Sequence, residues 1–238
     1  ENQGRVEVRT GALALTRGSD LGGRFQADAG AAILFQGGEI NVNRVPAFEG
    51  PGDLVFNGAR VNLQVPVPHW EMGGGTLSGL EQVIGLASLT NCTLAGTNRL
   101  VGTLNVSGRL YVPADSSLTV EAGAELRVNA AQEIHLFGTL INRGTVTQAG
   151  WIGVYNNGGQ WNGDLRNESG ALWDIQGNAV IVDIFGLQLG KFHNAGTLRR
   201  SSDPGTATCD IFLENQGRVE VRTGALALTR GSDLGGRF

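Results

Sequence analysis

Very short segments in which apolar and polar residues alternate recur along the whole chain, and Gly or Asn residues separate them. Alternation over three to five residues predicts strands that bury one side, and Gly and Asn are typical of the turns between strands. No segment carries an apolar stripe at helical spacing over ten residues. Examples of the alternating segments are residues 6–8, 13–15, 104–106, 118–120 and 126–128. The sequence therefore predicts an all-β fold.

A loose repeat of about 20 residues organises these segments. Its motif is Asn, one or two residues, Gly, one residue, then Val or Leu, with a stretched copy at Asn167. The motif residues are Asn2 and Gly4, Asn142 and Gly144, Asn194 and Gly196, and Asn215 and Gly217. This period predicts a β-solenoid, a right-handed parallel β-helix with about 20 residues per coil. An antiparallel β-sandwich is the alternative, but the regular spacing of the corners argues against it.

The motif residues have an expected structural role at the corners and in the ladder between coils. Gly and Asn are expected where the backbone needs a positive φ angle. Asn residues that recur at one corner are expected to stack as a ladder, each amide bonding to the next coil.

Residues 1–25 are identical, letter for letter, to residues 214–238. This identity predicts a tandem array in which residues 1–213 are one module and residues 214–238 begin the next. An artificial fusion, or an overlap along a continuous fibre, would produce the same identity. In each case the end of one module continues into the start of another. About ten coils, each rising ~4.8 Å, would give one module a rise of ~50 Å.

Composition excludes several classes of protein. With 41% hydrophobic residues and a net charge of −4, the chain is not disordered. Its basic residues form no cluster, so we expect no nucleic-acid partner. No apolar stretch reaches ~18 residues, so no membrane-spanning helix is expected. Cys92 and Cys209 would lie ~28 Å apart along the axis, too far for an intrachain disulfide, which leaves buried thiols or links to a neighbouring strand of a fibre.

Residues 192–198, 215–219 and 224–228 contain the sequences FHNAGTL, NQGRV and GALAL, and residues 29–35 and 73–79 extend the pattern. In these segments the chain resembles the Gly- and Asn-rich β-helical repeats of giant secreted bacterial surface proteins, the adhesins and filamentous-haemagglutinin-like passengers. The resemblance covers most of the chain. It implies a protein at the cell surface that serves as a stalk, an adhesin or a fibre. The long, nearly identical module departs from most adhesins and favours a repetitive filament.

The polar residues form no constellation typical of an enzyme. Asp174 and Asp183 flank residues 175–182, but β-helix lyases and hydrolases use several acids on adjacent coils together with a basic partner, and only Arg166 is near. Cys92 has no histidine partner in the sequence, and no nucleophile-elbow motif is present. We therefore predict no catalytic residues, no cofactor and no bound metal.

Three tryptophans are the candidates for contact with a glycan. Trp151, Trp161 and Trp173 lie 10 and 12 residues apart, about half a coil each, and would form a sugar-stacking row if exposed. Packing in the core or at its edge is the other interpretation.

The overall prediction is a structural, non-enzymatic module of an extracellular bacterial filament or surface fibre. Its expected partner is a further copy of itself, continued head to tail, because an open β-helix end exposes an unpaired coil. An adhesin or glycan-binding stalk, with surface glycans as the partner, is the first alternative. A β-helix polysaccharide lyase or hydrolase is the second.

Overall fold

The computed structural model describes residues 2–17, 19–42, 47–64, 67–79, 83–230 and 232–237. Glu1 and Phe238, the outermost residues of the two identical segments, lie outside this part. All regular secondary structure in the described residues is β-strand. They contain no helix long and apolar enough to cross a membrane.

The strands are short and follow one another at close intervals. The first half of the chain contains β1 (Arg5–Val8), β2 (Ala12–Thr16), β3 (Ser19–Asp20), β4 (Arg24–Ala27), β5 (Ala32–Gln36), β6 (Glu39–Val42), β7 (Ala47–Glu49), β8 (Asp53–Asn57), β9 (Arg60–Leu63), β10 (Val67–Gly73), β11 (Thr76–Ser78), β12 (Val83–Thr90), β13 (Cys92–Ala95), β14 (Thr97–Leu100), β15 (Thr103–Val106) and β16 (Arg109–Val112). The second half contains β17 (Ser117–Val120), β18 (Glu125–Val128), β19 (Glu133–Leu136), β20 (Thr139–Asn142), β21 (Thr145–Gln148), β22 (Trp151–Val154), β23 (Asp164–Asn167), β24 (Leu172–Ile175), β25 (Val180–Asp183), β26 (Lys191–Asn194), β27 (Thr197–Arg200), β28 (Thr206–Asp210), β29 (Phe212–Asn215), β30 (Arg218–Val221), β31 (Ala225–Leu228) and β32 (Ser232–Leu234).

The described strands follow one another over three faces in a fixed order, except between β9 and β14, where face 1 has no strand. Face 1 consists of a 3-stranded sheet (β1, β4, β7) and a 7-stranded sheet (β14, β17, β20, β23, β26, β29, β32). Face 2 is the 11-stranded sheet that runs from β2 to β30, and face 3 is the 11-stranded sheet from β3 to β31. Every pairing between these described strands is parallel, one coil above the next. The predicted β-solenoid is therefore confirmed and the antiparallel sandwich is excluded.

The coils average about 21 residues over about ten turns, which matches the predicted period. Individual coils vary widely, however. Val55 pairs with Glu71, 16 positions later, whereas Trp151 pairs with Val180, 29 positions later. The right-handed sense of the coil stays a prediction.

Two kinds of change in the turns account for this variation. The shortest coils lie between β9 and β14, where the described strands occupy only faces 2 and 3. The longest coils carry loops at the corner from face 3 to face 1, at residues 155–163 and 184–190. An isolated antiparallel bridge between Asn156 and Asn162 closes the first loop. In the part of the chain that the structure describes, these two loops enlarge the corner between face 3 and face 1.

Alternation places one side of each strand in a narrow core. In β18, Leu126 is buried and Arg127 points outward. Residues at the same position in successive coils stack as columns, because all the ladders are parallel and in register. One fully buried column on face 2 consists of Leu104, Leu126, Val146, Trp173 and Leu198.

Gly75 illustrates how closely two coils approach at a corner. Its φ is +88°, and a Cβ atom there would lie 2.1 Å from the Ala59 carbonyl oxygen. Gly30 has a similar φ of +76° but no atom within 4 Å of the corresponding Cβ position. We therefore expect G30A to cost about 1 kcal/mol of unfolding free energy from backbone strain alone, and G75A to cost clearly more. Chemical denaturation of both variants tests this difference, and equal losses would contradict it.

Candidate functional site

Four buried asparagines form a hydrogen-bonded ladder at the end of face 1. Asn142, Asn167, Asn194 and Asn215 are the last residues of β20, β23, β26 and β29 and are at most 1% exposed. Each amide nitrogen donates to the amide oxygen of the next asparagine, over 2.8 Å, 2.7 Å and 2.6 Å in chain order. In-register stacking makes this possible because an amide carries both a donor and an acceptor.

Each ladder amide except the last also donates to a backbone carbonyl of the next coil. The acceptors for Asn142, Asn167 and Asn194 are the carbonyls of Leu172, Thr197 and Arg218. Within the described residues, the amide nitrogen of Asn215 has no hydrogen-bond partner. Its register partner one coil later is Leu234 and not a further asparagine. The ladder thus spans four coils and ends with an unused donor.

The first motif asparagine does not join the ladder. Asn2 lies in the first coil, half-buried, and donates to the Gly22 carbonyl oxygen over 3.2 Å. The two coils before the ladder carry Leu100 and Val120 in the column that Asn142 continues. The ladder therefore begins where an apolar column is replaced by asparagine.

The motif glycines are needed for a reason other than the expected one. None of Gly4, Gly144, Gly196 and Gly217 has a positive φ. For the last three, an added Cβ would lie 2.1–2.4 Å from a carbonyl oxygen of the preceding coil. Close approach between coils, and not left-handed backbone, excludes a side chain there. Gly4 has no such contact, because the structure places its nearest neighbour at 3.8 Å.

Trp151 lies flat on the outer side of face 3. Its indole covers Gly153 in the same strand, so that a Cβ at Gly153 would be only 2.0 Å from the Cη2 atom of the ring. The ring is partly exposed and packs beside His135, with 5.1 Å between ring centroids. One side of the indole therefore rests on backbone.

The ring of Trp151 belongs to a larger group, which we call the aromatic surface. Its members are Tyr111, His135, Phe137, Trp151, Tyr155, Trp161 and Phe185, all partly exposed. Tyr111 stacks on His135 and Phe137 stacks on Tyr155, with centroids 4.9 Å and 4.2 Å apart. In the corner loops, Trp161 and Phe185 are stacked at 5.4 Å with nearly parallel rings. Aromatic side chains from the outer side of face 3 and from the two corner loops thus pack together in one group.

A chain of polar contacts runs along the aromatic surface. Arg109 donates to Glu133 over 2.9 Å, and His135 bridges Glu133 and the Tyr155 hydroxyl at 2.9 Å and 3.0 Å. The hydrogen bond with His135 is the main cause that lowers the pKa of Glu133, helped by the charge of Arg109 and opposed by burial. Burial raises the pKa of Tyr155. The surface therefore combines flat rings with a carboxylate and a guanidinium group.

The three candidate tryptophans have different environments. Trp151 and Trp161 belong to the aromatic surface, whereas Trp173 is fully buried. Trp173 donates its indole N–H to Gln148 over 2.9 Å and packs on Phe192. It is therefore a core residue and cannot face a glycan. Its inward position follows from the alternation in β24, where Ile175 is also buried.

Sequence reasoning identified only Trp151 and Trp161 of the aromatic surface and missed its other members. Tyr111 and His135 are outward members of strands whose neighbours Leu110 and Ile134 are buried, so alternation alone identifies their side. Register alone brings them together, because Tyr111 pairs directly with His135. The loop residues carry no comparable signal.

The acids considered for catalysis are separated. Asp174 lies on face 2 in β24, and Asp183 ends β25 on face 3. Asp183 is buried and accepts a hydrogen bond from the backbone of Gln188. Arg166 pairs with Asp164 at 2.9 Å. These residues have structural partners of their own.

Outward charges pair between neighbouring coils. Such pairs are Arg99–Glu121, Arg109–Glu133, Arg199–Glu220 and Arg230–Asp210, with separations of 2.7–3.2 Å. Exposed pairs contribute at most about 1 kcal/mol each. Their main effect is to neutralise the surface where coils stack.

Both cysteines are free, buried on face 3 in β13 and β28. The predicted absence of a disulfide between them is thereby confirmed. Burial raises the pKa of Cys92 to about 11 and that of Cys209 to about 12.

In the folded chain both thiols therefore stay protonated at pH values well above ~8.5, the pKa of an ordinary thiol. We expect a thiol reagent at pH 8 to modify neither cysteine until the chain is unfolded. Above pH ~9 the unfolded chain loses thiol protons that the folded chain retains, so stability falls as pH rises, by about 1.4 kcal/mol per pH unit per cysteine. Denaturant titrations from pH 8 to 10.5 check this slope, and C209A should reduce it.

In comparisons with known proteins, no protein-family model, no curated protein and no solved structure matches the chain.

Proposed function

We propose that the chain is a structural segment of an extracellular filament or surface fibre of bacterial type. The fibre is built when one β-solenoid continues from copy to copy of the 213-residue repeat. The observation that supports this proposal is the fit of the second copy on the first. Leu198 pairs with Val219 of β30, and the asparagine ladder runs from Asn194 into Asn215. Continuation of this kind removes the exposed edge that an isolated solenoid leaves.

The role that follows is mechanical, with no catalytic step. Each coil contacts only its neighbours, so stability accumulates along the axis as a sum of stacking contributions. The paired surface charges let long stacks form with little repulsion.

Chains with one, two and three copies of residues 1–213, each ending in residues 214–238, test the proposal. Negative-stain electron microscopy should show rods of constant width that lengthen by ~50 Å per copy. Beads joined by flexible links, or rods that thicken without lengthening, would contradict it. Antibody labelling of intact source cells tests the location, and labelling only after permeabilisation would count against the surface assignment.

A second candidate function, glycan binding, is favoured by the aromatic surface. Sugars present C–H groups that pack on flat rings, and their hydroxyls bond to carboxylates and guanidinium groups. Trp151 offers a ring that lies flat over Gly153. Glu133 is its register partner and pairs in turn with Arg109 of the preceding coil. The fibre would then be an adhesive stalk.

Glycan-array screening followed by titration of a bound oligosaccharide tests this second function. We expect W151A to weaken binding at least tenfold, and G153A to weaken it as well because the added Cβ displaces the ring. W173F, a conservative change in the core, is the matched control and should bind normally. Unchanged affinity in W151A would reject the aromatic surface as a glycan site.

A further inference from the structure

The two identical 25-residue segments occupy different faces of the solenoid. In the first copy, β1 and β2 lie on faces 1 and 2. The same residues in the second copy form β30 and β31, which lie on faces 2 and 3. The next strand follows the same rule, because β3 is on face 3 and β32 is on face 1. Each strand of the second copy is therefore one face further round.

The coil itself is the same in both copies. Arg5 pairs in parallel with Arg24, and Arg218 pairs in parallel with Arg237 at the equivalent positions. The Arg24 amide donates to the Gly4 carbonyl over 2.8 Å, and the Arg237 amide donates to the Gly217 carbonyl over 2.9 Å. The segment thus keeps its local fold while its position around the axis changes.

The glycine contacts of the coil are also conserved between the copies. A Cβ at Gly23 would meet the Gly4 carbonyl oxygen at 2.4 Å, and one at Gly236 would meet the Gly217 carbonyl oxygen at 2.3 Å. A shift of register within the coil would have separated these atoms. The difference between the copies is a rotation of the whole coil.

The rotation follows from the number of strands in one repeat. β1 and β30 are the same residues in the two copies. From β1 on face 1 the chain moves on by one face to reach β2 on face 2. From β2 it makes ten further coils to reach β30, the eleventh strand of face 2. One 213-residue repeat therefore contains ten coils and one additional face. Because a coil has three faces, a given residue of the repeat returns to the same face only after three copies.

We infer that successive copies in the continued fibre are turned by one face, about a third of a turn, so that the structural repeat is three copies long. This inference rests on the proposed fibre. The partner surface is the end coil of a further copy of the same chain, met one face out of phase. The aromatic surface would then appear on each face in turn, every ~50 Å along the axis.

The contacts of the second copy match this placement. Glu220 of β30 points outward beside Arg199 of β27, with 3.2 Å between the paired atoms, and Arg222 reaches the same carboxylate at 3.1 Å. The equivalent Glu7 of the first copy pairs with Arg5 and Arg9. Their counterparts Arg218 and Arg222 pair with Glu220 as well, so the pair with Arg199 is the one that the second copy adds. Val219 is almost completely buried against Leu198. The rotated position therefore gives the second copy both a charge partner and a core contact.

Disulfide trapping in the 238-residue chain tests the rotation locally. Arg199 and Glu220 are register partners, so R199C/E220C should cross-link efficiently under mild oxidation. Without rotation, β30 would lie on face 1 over β26, and Glu220 would lie beside His193, an outward residue of β26. The matched control is therefore H193C/E220C, which should remain reduced. Cross-linking of the control pair and not of the first would overturn the inference. The two native thiols are buried and stay outside the reaction.

Cryo-electron microscopy of the three-copy chain tests the rotation over the whole fibre. The loops at residues 155–163 and 184–190 mark one corner of each copy. They should recur every ~50 Å along the axis, and each set should be rotated by about a third of a turn from the previous one. The gradual twist of the sheets, measured within one copy, is subtracted before this angle is read. Markers aligned on one side of a continuous rod would overturn the rotation and leave the fibre intact. Separate particles with no continuous rod would overturn the fibre itself.

Discussion

Replacement of Asn167 by leucine is expected to lower the free energy of unfolding by about 3 kcal/mol. Asn167 is central in the ladder, accepting from Asn142 and donating to Asn194 and to the Thr197 carbonyl. Leucine has a similar size but leaves those buried groups without partners, and each such group costs about 1–3 kcal/mol. Denaturant unfolding measures the loss, and hydrogen exchange in β23 and β26 should locate it in the adjoining coils.

Asn2 provides the matched control for this substitution. It occupies the motif position in the first coil, but its amide bonds to the backbone of Gly22 and Gly4 and to no other asparagine. We expect N2L to cost less than about 1 kcal/mol, because its partners remain near solvent. If N2L and N167L destabilise the chain equally, the ladder has no special contribution.

Replacement of Trp173 by alanine is expected to destabilise the chain by about 3–5 kcal/mol. The indole is fully buried, lies in a column between Val146 and Leu198, and its loss would also leave the Gln148 side chain without its buried donor. Thermal and chemical unfolding measure the change.

The loss of stability in W151A, compared with that in W173A, distinguishes a surface tryptophan from a core tryptophan. The indole of Trp151 lies on the outside of face 3, so W151A should change stability by less than about 1 kcal/mol. A large loss in W151A, or a small one in W173A, would reverse the assignment of the two tryptophans. Together with the glycan titration, the pair distinguishes a ring that supports the fold from one that serves binding.

Local patterns in the sequence predict which side of a strand is buried, and they do so well here. The segment at residues 104–106 alternates Leu, Asn and Val, and the structure buries the two apolar residues. Inward and outward positions depend only on the two-residue period of a strand, which is a property of neighbouring residues. For this reason the all-β fold and the coil period were accessible from the sequence.

Position around the axis is not a local property, and the sequence pattern left it open. Coils of 16 to 29 residues mean that equal spacing in sequence does not give equal placement in space. The three candidate tryptophans therefore have three different locations: Trp151 lies on a face, Trp161 in a loop and Trp173 in the core. The motif predicts left-handed backbone at its glycines. The carbonyls that crowd Gly144, Gly196 and Gly217 belong to the previous coil, 20 to 28 positions earlier, so no local pattern reveals them.

Parallel stacking has a consequence for how such a fibre responds to tension. The hydrogen bonds that join coils run along the axis, so a pull on the two ends loads the outermost coil first and opens coils one after another. Each coil of about 21 residues replaces a rise of ~4.8 Å by up to ~70 Å of extended chain. Stretching would thus absorb work in many small steps, one coil at a time, and the asparagine ladder would make four neighbouring coils the last to open.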